Sequence, residues 1–219
     1  MRVGLLSDIH ANRVALEAVL SDMPSVDALA CAGDVVGYNP WPRECVEELR
    51  ERAVVTVRGN HDRAVVSPGE ARLNRLARAG LEHARTCLEP GHLEWLASLP
   101  ETRREFDGRL RLVHGHPDDP DRYTYPDDFS PRLLTDEDVL VLGHTHVQHA
   151  ERYGEGIVVN PGSVGQPRDG DPRAAYAVVD LDALTVDLRR VAYDVDAVRR
   201  ELERVGLPER TGTRLARGR

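Results

Sequence analysis

Short apolar runs that stop abruptly in polar clusters set the rhythm of this chain. Val3 to Ser7 is an apolar stretch closing on Asp8, the pattern of a buried strand. Behind it Val14, Ala15, Ala18 and Val19 recur at helical spacing after Asn12, whose side chain can cap a first turn. Ala28 to Ala32 reads as a second strand, ending at Gly33-Asp34. Pro42 suits the first turn of a helix that Glu44 to Arg52 continues. Ala53 to Val57 is rich in β-branched residues and stops at Arg58-Gly59-Asn60-His61-Asp62. This alternation predicts an α/β fold with parallel pairing in the first half. Ligands in open α/β sheets sit beyond the carboxyl ends of strands, where these clusters fall.

The remainder is more strand-rich. Glu70 to Cys87 and His92 to Leu99 read as helices, and Glu101 to Phe106 and Leu110 to Val113 flank an Asp107-Gly108 hairpin turn. Further strands are expected at Val139–Leu142, Val147–Arg152, Ile157–Val159, Tyr176–Leu181 and Thr185–Val191, with a helix over Val195–Val205. Asp118 to Asp128, rich in Asp, Pro and Tyr, reads as a loop that serves as a lid or a solvated linker. The tail from Pro208 to Arg219 is polar. No repeat or boundary interrupts the pattern, so residues 1–219 are expected to form one domain.

Composition narrows the functional classes. Met1 to Leu6 runs straight into strand, without the regions of a signal peptide. No apolar run reaches the roughly 18 residues of a membrane span. A cytoplasmic protein without membrane partners is expected. The balance of 29 basic and 37 acidic residues gives −8, and every basic residue is arginine. With no broad basic stripe, tight binding to a nucleic-acid polymer is disfavoured. Cys31, Cys45 and Cys87 are scattered, as suits reduced structural thiols.

The chemistry lies in five polar clusters at strand ends: Asp8-Ile9-His10, Gly33-Asp34, Gly59-Asn60-His61-Asp62, His114 and Gly143-His144-Thr145-His146. Carboxylates, an amide and imidazoles together suit Mn, Fe, Zn or a similar divalent ion. Alternate residues of an extended segment point the same way, so Asp8 with His10, and His144 with His146, are expected to converge. Glycines 33, 59 and 143 permit unusual dihedrals and close backbone approach. Any one cluster alone is an ordinary turn. The ordered set is what carries weight.

That set resembles the calcineurin-like metallophosphoesterase superfamily over nearly the whole chain. Gly33-Asp34-Val35-Val36-Gly37-Tyr38, Val113-His114-Gly115 and Asn160 to Arg168 resemble its small bacterial and archaeal phosphodiesterase branch. The resemblance implies an α/β four-layer sandwich, with two mixed β-sheets flanked by helices. It implies two divalent ions, with manganese first and Fe, Zn, Ni or Mg as alternatives. Asp8, His10, Asp34 and His146 would hold one ion; Asp34, Asn60, His114 and His144 would hold the other, Asp34 bridging. His61 would stand over both without binding either. Related sequences often carry serine within His114-Gly115-His116-Pro117; His116, two residues from a ligand, reads as facing the site or, more readily, as a solvated loop residue, and His83, His92 and His149 as structural or solvated.

The activity so implied is hydrolysis of a small phosphodiester or nucleotide, by a hydroxide bridging the metals. His61 is the candidate general acid, Asn60 both ligand and positioner, and Asp62 structural. Arg168 reads equally as a phosphate contact or a surface salt bridge. Two alternatives stand beside this: a phosphomonoesterase or protein phosphatase, and a noncatalytic interaction scaffold on the same fold. The scaffold form has a degraded metal site, whereas every ligand position is filled here. A small phosphate ester is the expected partner, and homo-oligomerisation is left open.

Overall fold

The computed structural model describes residues 1–67, 74–154 and 156–219. The chain begins with β1 (Arg2–Leu6), α1 (Arg13–Asp22), β2 (Ala28–Cys31), α2 (Pro42–Glu51), β3 (Val55–Thr56) and α3 (Asn60–Val66). After α4 (Arg75–Cys87) and α5 (Pro90–Ser98) come β4 (Thr102–Glu105), β5 (Leu110–Val113) and β6 (Val139–Val141). The last elements are β7 (His149–Tyr153), β8 (Gly156–Asn160), β9 (Ala174–Asp180), β10 (Thr185–Val191), α6 (Val195–Arg204) and α7 (Glu209–Leu215).

Among the described residues the strands form two five-stranded mixed sheets, ordered β10-β9-β1-β2-β3 and β4-β5-β6-β8-β7. The expected parallel pairing holds for β1 with β2 and β2 with β3, while β9 runs antiparallel along the other side of β1. The second sheet pairs β5, β6 and β8 in parallel between antiparallel edges. Period-2 alternation decides which side chains meet. Val3 and Leu5 of β1 face Leu110, Leu112, Val139 and Val141 of the second sheet, forming the core between the layers. Leu6 points the opposite way, into the core beneath the helices with Leu16, Val46 and Leu81. Burying each such side chain is worth about 1.5–3 kcal/mol. On the outer face of the second sheet, Phe129 and Leu133 cover Leu140, Leu142 and Val158. The architecture is the α/β sandwich of two mixed sheets flanked by helices that the sequence led us to expect.

Three local expectations change. Asn60–Val66 is helical, and so is Glu209–Leu215 within the polar tail, where Leu215 packs on Val198 and Leu202. The strand expected from Val147 begins at His149, because the Val147 and Gln148 amides turn to the Thr145 hydroxyl and the Asp169 carboxylate. The helix read from Glu70 is seen from Arg75, capped by the Asn74 side chain on the Leu76 and Ala77 amides; its start at residues 70–73 lies outside the described residues. The Asp107-Gly108 turn joins antiparallel β4 and β5 as expected.

Gly80 allows α4 to lie on the loop after β2, since a Cβ there would sit 2.2 Å from the Tyr38 amide nitrogen. Alanine normally gains about 1 kcal/mol over glycine inside a helix. We predict the opposite at this position: Gly80→Ala lowers stability in chemical denaturation, because backbone overlap costs about 1–3 kcal/mol or more. Gly91→Ala in α5, where nothing lies within 4 Å of an added Cβ, is the control and should be neutral or stabilising. A gain for both would contradict the close contact.

Candidate metal centre

The carboxyl ends of β1, β2, β3, β5 and β6 bring the sequence-predicted ligands together, and all of them except Asn60 are buried. Three groups of donor atoms converge to within 4.8 Å: Asp8, His10 and His146; Asp34, His114 and His144; and His10, Asp34 and His61. Asn60 joins the second group through its amide oxygen, 3.1 Å from His114 Nε2. Asp34 and His10 link the groups, His10 Nε2 lying 3.6 Å from an Asp34 oxygen.

The convergence does not come from pleated strand. Asp8, His10, Asp34, His144 and His146 all have φ between 47 and 69°, the left-handed region that non-glycine residues seldom occupy. Asp8 and His10 do meet, but through tight turns beyond β1. His144 and His146 look into different but linked groups of the same cluster, and they reach it through left-handed turns, not pleated strand. Tight turns replace extended chain because close backbone approaches hold them. A Cβ on Gly59 would fall 2.1 Å from an Asp34 oxygen, and one on Gly143 2.2 Å from Ser7 Oγ. Of the three glycines singled out from sequence, Gly33 alone uses a left-handed φ, at 94°.

Second contacts orient the donors. His10 Nδ1 donates to the Val36 carbonyl at 3.1 Å, His114 Nδ1 to Ala32 at 2.7 Å and His146 Nδ1 to Gln166 at 2.6 Å. Imidazoles that bind metal are oriented in this way, with the other nitrogen left to the ion. His144 is reversed: its Nε2 faces the Asp121 carbonyl at 3.2 Å, which leaves Nδ1 as the lone pair. Asp8 Oδ2 accepts from Ser7 Oγ and the His144 amide, while buried Oδ1 faces the His146 Nε2 lone pair at 3.1 Å and accepts no hydrogen bond among the described residues. His10 Nε2 and His146 Nε2 stand 3.1 Å apart with their Nδ1 protons already committed. Facing lone pairs beside an orphaned carboxylate oxygen fit a cation. The residues present therefore suit the divalent ions that the donor set implies.

Asp62 ties two donor loops together. Its carboxylate accepts from the Val35 and Val36 amides beyond Asp34, and from the Gly59 amide at the start of α3. Burial, aided by Asp34, pushes this carboxyl up to about 7. Burial also raises Asp8 and Asp34, but neighbouring imidazoles outweigh it and hold both below the usual carboxylate range. Burial holds His10, His61, His144 and His146 low, His61 and His144 at about 4. His114 goes the other way: burial lowers it, yet Asp34 prevails and lifts it to about 10.

Arg168 donates to Gln166 Oε1 at 2.8 Å and lies over the Tyr38 ring, 5.8 Å from its centroid. Among the described residues it has no carboxylate partner. His116 stays in its loop, accepting from the Asp118 amide, and joins no donor group among the described residues. His83, His92 and His149 serve packing and capping contacts elsewhere. Sequence reasoning missed Tyr38, edge-on to His10 at 4.8 Å, and Tyr123, stacked on His144 at 3.9 Å. Tyr38 sits inside the Gly33–Tyr38 segment; nothing in the local pattern marks Tyr123.

Fold and donor set together define a metal-dependent phosphoesterase. Residues 1–184 match the calcineurin-like phosphoesterase superfamily domain, and the chain belongs to that superfamily. The crystal structure of a metallophosphoesterase from Sphaerobacter thermophilus superposes with a TM-score of 0.88 at 38% identity, over 100% of this chain and 99% of that one. The uncharacterised protein MJ0912 of Methanocaldococcus jannaschii is 32% identical, over 99% of this chain and 98% of its own. Phosphodiesterase YfcE of Escherichia coli K12 is 34% identical, over 85% of this chain and 91% of its own.

In the metal-free protein, His114 beside Asp34 is protonated at neutral pH. Because its pKa is raised, the stability it contributes is complete below about 6.5 and is lost as pH rises through about 10. A cation at this nitrogen must displace the proton. We therefore expect Mn binding at pH 8 to release about one proton through His114, measured by calorimetry in buffers of different ionisation enthalpy. Binding without proton release would show that His114 is not a ligand.

Proposed function

We propose that this protein hydrolyses small phosphodiesters or nucleotide phosphate esters at a dinuclear centre. Asp8, His10, Asp34 and His146 would hold one ion, and Asp34, Asn60, His114 and His144 the other, with manganese the first candidate. The observation that carries the proposal is the pairing of the buried Asp8–His10–His146 and Asp34–His114–His144 groups, linked by His10 and Asp34 3.6 Å apart. Bound divalent ions supply a nucleophilic water at neutral pH and positive charge for the phosphoryl oxygens. With Asp8 and Asp34 as the carboxylates of the set, the loaded pocket is net positive inside a chain of net charge −8.

The chain's own residues supply orientation and proton control. Asp34 Oδ1 accepts the His61 amide at 2.8 Å, fixing His61 at the start of α3. Gly37 makes room for that ring, since a Cβ would lie 2.3 Å from His61 Nδ1. With Nδ1 buried against Gly37, Nε2 is the ring nitrogen left to donate to the leaving oxygen. His61 also converges with His10 and Asp34, so its role as acid rather than ligand is the point to test. Arg168, which has no carboxylate partner among the described residues, is assigned to the substrate phosphate.

The similarity to phosphodiesterase YfcE favours a diester over a monoester. No helix among the described residues is long and apolar enough to cross a membrane, in keeping with a cytoplasmic enzyme acting on diffusible substrates.

His61→Ala should lower turnover by about 10²–10⁴-fold with bound metal unchanged by elemental analysis. Loss of metal in parallel would make His61 a ligand. Asp34→Asn should abolish most activity and weaken both metals; full metal content would contradict the bridge. With Mn added, a panel of phosphate mono- and diesters should favour diesters, and preferential monoester turnover would establish the phosphatase alternative instead.

A further inference from the structure

The 118–128 loop lies against the metal centre and carries two aromatic rings that packing leaves open. Tyr123 stacks on the His144 ring with centroids 3.9 Å apart and planes at 22°. Tyr125 lies nearly parallel to Tyr123, with centroids 5.9 Å apart and planes at 12°. Tyr123 and Tyr125 are 45% and 47% exposed, whereas Thr124 between them is 2% exposed. That alternation anchors the backbone through Thr124 and turns both rings outward. Among the described residues, Leu188 is the only other exposed large hydrophobic, so these two rings are a local concentration beside the site.

The loop is fastened where it matters. The Asp121 carbonyl meets His144 Nε2, and the Asp121 side chain pairs with Arg63 of α3. His116 and Asp119 exchange backbone hydrogen bonds. Gly115, next to His114, lies so close beneath the loop that a Cβ would sit 2.5 Å from the Pro120 carbonyl. Tyrosine faces fixed in this way offer a planar partner a stacking surface at little entropic cost.

Resting on the phosphoester reading above, we propose that Tyr123 and Tyr125 form a stacking subsite for a nucleobase, making nucleoside phosphate esters the substrate class. The phosphate binds at the metal pocket and the base lies on the tyrosine faces. A stacking platform accepts every base, because each has a π face, so the subsite selects nucleosides as a class without reading base identity.

Calorimetry on Mn-loaded protein tests this by comparing adenosine 5′-monophosphate with ribose 5-phosphate, which differ only in the base. Wild-type protein should bind the nucleotide roughly tenfold or more tighter. Tyr123→Leu/Tyr125→Ala should bring the two affinities close together, while Tyr123→Phe keeps the preference. Metal content is measured for each variant. If Tyr123→Leu disturbs it through His144, Tyr125→Ala alone decides, with the preference expected to shrink. Equal binding of both ligands by wild type, survival of the preference in the metal-replete variants, or an equal loss for both ligands would overturn the subsite. A preserved base preference in a protein that cleaves no phosphate ester supports the subsite and sinks the hydrolytic reading, so the two failures are separate.

Discussion

Electron-pair donors crowded into a buried pocket must be met by positive charge, and the rest of this structure answers to that requirement. Asp8 and Asp34 are almost entirely inaccessible to water, as are His10, His114 and His146. An uncompensated buried carboxylate costs several kcal/mol. With their Nδ1 protons committed to carbonyls, His10 and His146 cannot relieve each other across 3.1 Å, and Asp8 Oδ1 has no donor. In the metal-free chain the proton on His114 is the charge that faces Asp34. A divalent cation supplies more charge and more bonds in the same space, so metal loading and the integrity of the pocket are coupled.

Such an arrangement is held by hydrogen bonds that come from far along the chain. Left-handed turns at non-glycine residues cost about 1 kcal/mol or more each, and the tips of the donor loops contain several of them. Backbone bonds from Asp8 to Gly33, from His10 to Asp34 and from Gly165 to Asp8 lock the first two loops. The 160–168 segment acts as a buckle. Asn160 holds the Gly143 carbonyl, Ser163 holds the Asp8 carbonyl, and the Gln166 carbonyl orients His146. Much of that segment is therefore structural support for donors on both sheets; Arg168, at its end, is the part that faces substrate in our proposal.

How legible this was depended on distance along the chain. The parallel β1-β2-β3 start and its polar ends follow from local apolar runs, and so does the hairpin between β4 and β5. The candidate donors were visible because each follows the end of a strand. α3 escaped notice because Asn60-His61-Asp62-Arg63 looks like loop, and seven residues are too few for a helical period to show. α7 escaped because Leu215 alone of its residues is a large apolar side chain, and its burial comes from α6. Left-handed φ values at Asp8, His10, His144 and His146 leave no trace in residue type, so the period-2 argument reached convergence for Asp8 and His10 by the wrong geometry. Tyr123 was beyond reach for a related reason. Its partner, His144, belongs to another loop, and only the folded chain brings their rings together.

Chemistry and selectivity consequently rest on different physical carriers. The donors stand on loops joined by buried hydrogen bonds to the tips of both sheets, where a small displacement would leave a charge unpaired. The 118–128 loop contributes mainly a surface: two half-exposed rings, a carbonyl against His144 and an ion pair to α3. Changes at the rings alter how strongly a nucleobase is held without unpairing a buried carboxylate. Tyr123 is where the two systems meet, because it packs on a candidate ligand with one face. Its ring therefore has to satisfy the position of His144 as well as the substrate, whereas Tyr125, one ring further out, is constrained by the substrate alone.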